Sequence, residues 1–208
     1  GAHGDATTVG LTFDDGPDPA VTPAVLDLLD EFDARATFFV LTDKVAEHRD
    51  IVLETVARGH EIALHGDRHD RMTTFDAGVV RDRLAAAKDL LESVVQREVR
   101  LYRPPFGAQS LRTYRSARSC GLDVVVWGPY AGEWQGGTPR DMADRAQQGR
   151  SPGTIVLMHD GLEVPAGDVV PDLDRARGIE LILADLQAEG LAGSSVSGLL
   201  DGGPARRT

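Results

Sequence analysis

Short, nearly continuous apolar runs alternate along the chain with segments whose apolar residues recur at helical spacing. The runs at 7–13 (TTVGLTF), 36–40 (ATFFV), 61–65 (EIALH), 99–103 (VRLYR), 122–127 (LDVVVW) and 154–158 (TIVLM) have the length and β-branched content of buried strands, and a last, weak strand is expected near Val196. Helices are expected from Thr22 to about Glu31, from after Val40 to about Arg58, over 75–96, over 111–119, from Thr138 towards Gln147, and over 172–188. Thr22-Pro23 and Thr138-Pro139 each pair an N-cap with a first-turn proline, and Gly59, Gly121 and Gly190 follow helix ends. In 75–96, Val79, Val80, Leu84, Leu90, Leu91, Val94 and Val95 fall on helical spacing.

Strand followed by helix, roughly seven times over, predicts an α/β fold: a distorted (β/α)7-type barrel of mainly parallel strands with outer helices, forming one domain over 1–208. Such folds carry their sites at the carboxyl ends of the strands. Asp14-Asp15 ends the first run, His65 the third, Arg103 the fourth and His159 the sixth. Polar side chains converging at strand ends mark a site.

Composition narrows the partners. A formal charge of −11 disfavours nucleic acid and anionic membrane surfaces, because a polyanion is repelled. Cys120 is the single cysteine, so it forms no intramolecular disulfide or Cys-based metal site and reads as a small buried hydrophobe. No run approaches the ~20 apolar residues of a membrane span. No signal peptide is visible, and the Gly-Ala-His start without Met reads as a trimmed terminus.

The chemistry begins at "LTFDDGPDP" (11–19). Side chains alternate along a strand, so Asp14 and Asp15 at its end point in different directions. One can hold a metal while the other faces substrate as a base; "DDGPD" also fits a simple Asx turn before Gly-Pro. In "HGDRHD" (65–70), His65 and His69 stand four apart, which in a helical turn puts both imidazoles on one face. With Asp15 as third ligand they make a two-His, one-carboxylate site with open positions, the pattern of catalytic zinc. His65-Gly66-Asp67 with a distant His159 also spells an iron-oxygenase triad, which sits poorly with strand–helix alternation. "RPPFG" (103–107) offers Arg103 to keep a carboxylate ionised and a stiff turn whose N–H groups near Phe106 and Gly107 can face a developing oxyanion. His159 in "LMHD" can protonate a leaving group, or simply be a bonded core histidine. "GEW" (132–134) supplies Glu133 and Trp134, a flat face for a sugar or for packing.

Taken in order, TFDDGP, HxxxH, RPPFG, the late acid-Trp pair and LMHD resemble the five motifs of the polysaccharide deacetylases, the NodB-homology family (carbohydrate esterase family 4), over roughly 7–200. The resemblance implies metal-dependent removal of acyl groups, usually N-acetyl, from sugars on a distorted barrel. It implies Asp14 as catalytic base, Asp15, His65 and His69 as the zinc triad (Co²⁺ or Ni²⁺ able to substitute), and Arg103 as the partner orienting Asp14. It further implies the Phe106 backbone as oxyanion donor, Leu157 and Trp134 as walls of the methyl pocket, and His159 as general acid tuned by Glu133. Three positions depart from the pattern: Gly66 replaces a Ser or Thr, Tyr130 the first aspartate of the fourth motif, and Glu133 the second. Glu133 carries an extra methylene, which leaves the pKa of His159 open. The expected partner is an acetylated carbohydrate such as a chitin oligomer or peptidoglycan, N- or O-acetylated, handled by a monomer outside the cytoplasm or at the envelope. Alternatives are a deacylase or deformylase of a small amide on the same machinery, and a silent sugar-binding homologue.

Overall fold

The structure, a computed structural model, describes residues 7–164 and 167–201. The outer positions of the 1–208 domain lie outside this range. In chain order the elements are β1 (Thr8–Asp14), α1 (Thr22–Glu31), β2 (Thr37–Leu41), α2 (Thr42–Glu47), α3 (Arg49–Ala57), β3 (Glu61–Gly66), α4 (Ala77–Val95), β4 (Leu101–Tyr102), α5 (Leu111–Ser119), β5 (Asp123–Val124), α6 (Pro139–Gln147), β6 (Ile155–His159), α7 (Arg175–Ala188), β7 (Ala192–Ser194) and α8 (Val196–Asp201). Strand and helix alternate as predicted, and every strand pairing is parallel, in the order β5-β4-β3-β2-β1-β6. β1 is the hub: it pairs with β7 over Thr8–Gly10, with β2 over Thr12–Asp14 and with β6 over Gly10–Asp14.

Both faces of β1 are covered, which is why its sequence is apolar without alternation. Its outward side chains Val9, Leu11 and Phe13 are fully buried in the main core, which also takes Leu26 and Leu29 of α1 and Ile179 and Ile182 of α7. Phe13 stacks on Phe38 at 4.9 Å. A smaller cluster of Phe39, Ala63, Leu101, Val125 and Val196 fills the inside of the curled sheet. Two positions beyond Ala63 and Leu101, on the same inner face, come His65 and Arg103, so the strand period lifts the site residues onto this cluster.

The sheet curls without closing through a regular strand. The expected strands 99–103 and 122–127 shrink to two residues each. After Val125, whose N–H still bonds Tyr102 O, the chain leaves β4 and bonds β6 instead: Gly128 N–H to Ile155 O, Ala131 N–H to Leu157 O, and Leu157 N–H to Pro129 O. An irregular stretch therefore spans the gap, and Val126 is left 53 % exposed. The expected second helix breaks at His48 into α2 and α3, and the weak strand lies at 192–194, with Val196 opening α8 instead. Thr138 caps α6 in a reciprocal box with Asp141 as predicted. Thr22 makes no cap; its hydroxyl accepts from Asp18 N–H and donates to Asp160. Cys120 is half-buried beside the core. Among the described residues no helix is long and apolar enough to cross a membrane.

Candidate metal centre and catalytic cleft

Asp14 and Asp15 separate as strand geometry demands, helped by a left-handed φ of 69° at Asp15. Asp14 Oδ1 receives Arg103 Nη1–H at 2.7 Å, and the same nitrogen donates to Thr12 Oγ1 at 2.8 Å. Arg103 is wholly buried, its guanidinium 4.2 Å from the Phe39 ring and 5.5 Å from that of Trp127. A charge so buried is tolerable only when paired, and Asp14 is the carboxyl that pairs it.

Asp15 turns the other way. Its Oδ2 accepts Glu163 N–H at 2.9 Å, while Oδ1 is buried with no hydrogen-bond partner among the described residues. That orphan oxygen lies 3.2 Å from His65 Nε2 and 3.4 Å from His69 Nε2, and the three donor atoms lie within 4.8 Å of one another. His65 Nδ1 sits 2.7 Å from Arg103 O, which commits Nδ1 as the donor there and turns Nε2 towards Asp15. Burial pushes the Asp15 carboxyl up, but His65, His159 and His69 outweigh it and hold the group well below the usual carboxylate range. A buried carboxylate oxygen without a partner among the described residues, facing two imidazole nitrogens, is a donor set that one divalent cation would satisfy, and it fits zinc. The two histidines meet through a strand end and a sharp turn, with Gly66 at φ 146°, and not through the expected helical turn. Asp67, the carboxylate of the oxygenase alternative, is bound instead by Arg83.

Across the cleft, His159 ends β6. Glu133, fully buried, accepts the His159 backbone N–H at 2.8 Å through Oε1 and meets the ring Nδ1 at 3.0 Å through Oε2. Burial pulls the imidazole down; the Glu133 charge and hydrogen bond, with Asp15 and Asp14 farther off, reverse that and lift its pKa to about 9. The extra methylene of Glu133 thus still lets one carboxylate grip both backbone and ring. Trp134 stands edge-on to His159 at 5.2 Å, and Tyr130 stacks on Trp134 at 5.6 Å. Phe106, in a 3₁₀ turn with φ 61°, lies against His69 at 4.3 Å. The turn's own bonds run from Gly107 N–H to Pro104 O and from Ala108 N–H to Pro105 O, leaving the Phe106 N–H outside both.

A cleft of about 700 Å³ gathers Asp14, Asp15, His65, His69, Phe106, Trp134, Leu157 and His159 on its walls, with Arg103 and Glu133 behind them. All ten residues singled out in the sequence therefore meet at one place. Sequence reasoning missed four others. Trp127 lines the cleft. Lys44 Nζ donates to Asp15 O at 2.9 Å and pairs with Glu163 at 2.6 Å. Glu163 lies in a loop with no motif of its own. Asp160 is buried beside Gly16, with burial lifting its pKa to about 6, and takes the Thr22 hydroxyl. Its only sequence signal was adjacency to His159. A Cβ at Gly161 would sit 2.1 Å from Asp15 O, so only glycine lets this loop close on Asp15.

Residues 2–125 match the family model described as Polysaccharide deacetylase. The chain belongs to the polysaccharide deacetylase family. A peptidoglycan-N-acetylglucosamine deacetylase of Bacillus cereus is 32% identical over 155 residues, covering 74% of this chain and 72% of the relative. A chitooligosaccharide deacetylase of Sinorhizobium fredii is 34% identical over 157 residues, covering 75% and 73%. Among solved structures, a pseudoenzyme of this family from Bacillus anthracis superimposes with a TM-score of 0.84 at 24% identity, covering 96% of this chain and 67% of that one. The last likeness establishes the fold alone, and it shows that this fold does not guarantee activity.

Proposed function

We propose that this chain is a metal-dependent hydrolase removing acetyl groups from acetylated sugars, of the chitooligosaccharide or peptidoglycan kind on which its named relatives act. The carrying observation is the division between two adjacent carboxylates: Asp14 is paired to buried Arg103, while Asp15 offers an unpartnered oxygen to two imidazole nitrogens. Asp15, His65 and His69 would hold zinc, and Co²⁺ or Ni²⁺ suit the same donors. When bound, the ion supplies Lewis-acid polarisation of the acyl carbonyl and acidifies water.

The chain's own groups do the rest. Asp14 Oδ2, the oxygen that Arg103 leaves free, borders the triad at 3.9 Å from His65 Nε2 and takes a proton from the attacking water. Arg103 holds that carboxylate in place and aims it. The Phe106 N–H faces the carbonyl oxygen as charge develops there. Leu157 and Trp134 wall the space for the acetyl methyl. His159, its Nδ1 held by Glu133, gives its Nε2 proton to the departing nitrogen. A C–O bond forms as the C–N bond breaks, leaving acetate and a free amine; an O-acetyl ester is open to the same groups. Every group comes from a single chain, so a monomer suffices, and such glycans place the work outside the cytoplasm or at the envelope.

Acetate release from chitin oligomers, peptidoglycan fragments, acetylated xylan and small N-acyl sugars, with chelator-stripped and zinc-restored protein, tests this reading. Zinc-dependent acetate from a glycan supports it. Release confined to small N-acyl compounds means a small-amide deacylase on the same machinery. Zinc bound with no acetate from any of these substrates points to another acyl group or a small-molecule substrate; neither zinc nor acetate leaves the silent sugar-binding homologue.

A further inference from the structure

We propose that Arg83, on the outer helix α4, sets the metal affinity of the site by clamping the turn that carries His69; this rests on the metal reading above. The turn from Asp67 to Asp70 has no helix or strand to hold it. His65 is fixed by β3 and by its bond to Arg103 O, but His69 follows a bend whose backbone bonds are few: Asp70 N–H to Arg68 O at 2.8 Å and Asp43 N–H to Asp67 O at 3.2 Å. Two residues before His69 stands Asp67, and one after it Asp70. Arg83 grips both. Its Nε meets Asp67 Oδ1 and Oδ2 at 3.0 and 2.9 Å, and its Nη2 meets Asp67 Oδ1 at 2.7 Å and Asp70 Oδ2 at 2.6 Å.

The clamp is itself anchored. The Arg83 side chain is only 19 % exposed, and its guanidinium lies 4.8 Å from the Phe75 ring. A planar fork reaching two carboxylates defines their spacing as a flexible ammonium cannot. Bracketing His69 in this way holds its Nε2 towards Asp15, at 3.4 Å, before any ion arrives. An ion entering such a site does not have to order the turn, and groups that orient metal ligands typically govern affinity by 10–100-fold. Arg83 is a positioning residue: it acts through His69 and touches neither metal nor substrate.

The sign of the effect makes the idea easy to overturn. Removing Arg83 frees two carboxylates near the site, and their charge alone would draw a cation in more tightly. The clamp predicts the reverse. Zinc affinity is measured by competition with a chromophoric chelator for the stripped protein, for Arg83→Gln and for Arg83→Lys, alongside thermal unfolding of each apo form. The expected result is about a tenfold or greater loss of affinity in Arg83→Gln, with partial recovery in Arg83→Lys. Affinity equal to or tighter than that of the parent chain overturns the proposal. If Arg83→Gln does not fold, Asp70→Asn removes one arm of the clamp and is expected to weaken zinc several-fold; unchanged affinity there also overturns it. A parent chain that takes up no zinc refutes the metal reading itself, whereas a parent that binds zinc no better than its variants refutes only the clamp.

Discussion

Replacing Glu133 by Gln removes the charge that keeps a buried imidazole protonated, and the consequence is calculable. His159 is 8 % exposed and Glu133 fully buried, so solvent screens the pair little. The imidazole is lifted from its ordinary 6.5 to about 9 in the folded chain. A folded pKa above the unfolded one means stability that is complete below pH 6.5 and lost as pH rises through 9. At 1.36 kcal/mol for each pH unit of that gap, the loss across the window is about 3 kcal/mol. In Glu133→Gln, burial acts on the ring without its main opposing charge, so the slope between pH 6.5 and 9 disappears. Urea unfolding at half-unit pH steps measures it, comparing the two proteins so that groups common to both cancel. The protein is stripped first, because a cation at the triad would repel the imidazolium and mask the effect. The activity of zinc-restored protein offers a second readout: if His159 is the general acid, the alkaline fall of kcat/KM moves to lower pH in the variant. Equal slopes in the two proteins would refute the Glu133–His159 coupling.

Three further outcomes follow from the same geometry. Arg103→Leu leaves Asp14 buried and unpaired and is expected to lower unfolding stability by about 3–5 kcal/mol, most of it recovered by adding Asp14→Asn; no recovery would place the loss in packing on Phe39 and Trp127. His60 is 2 % exposed, both ring nitrogens lack partners among the described residues, and burial holds its pKa down at about 4. Its neutral form is the native one, so its contribution is present above pH 6.5 and lost as pH falls towards 4; His60→Leu is expected to flatten the fall in Tm between pH 7 and 5. Gly66→Ser puts a Cβ 3.0 Å from Arg68 O at a φ of 146°; it is expected to destabilise by about 1–3 kcal/mol, and an unchanged Tm would show that the turn relaxes to admit the side chain.

The sequence disclosed what depends on local chemistry at strand ends. Asp14, Asp15, His65, Arg103 and His159 each follow an apolar run, and a parallel sheet gathers such ends by construction. Periodicity also recovered β1, β2, β3, β6 and most helices, because their burial is regular. It failed where tertiary bonding overrides pattern. "LDVVVW" reads as a strand, but β5 keeps only Asp123–Val124: after Val125 N–H bonds Tyr102 O the chain leaves β4, and from Gly128 it bonds β6. Thr22 has the local look of a cap and spends its hydroxyl on Asp160, 138 residues away. Lys44, Glu163 and Arg83 carried no motif; their partners lie on other elements, and side chains that act across the fold leave no spacing to read. That Glu133 reaches His159 depends on the 3₁₀ turn Glu133–Gln135, which no pattern announces.

The central claim is that two neighbouring aspartates do different jobs, one holding the metal and one taking the proton. Bound zinc and released acetate should therefore be measured on the same samples of the parent chain, Asp14→Asn and Asp15→Asn, with an N-acetylated chitin oligomer. Zinc retained but acetate lost in Asp14→Asn, with both lost in Asp15→Asn, is the predicted result. Acetate release that survives in Asp14→Asn, or zinc binding that survives undiminished in Asp15→Asn, contradicts the account.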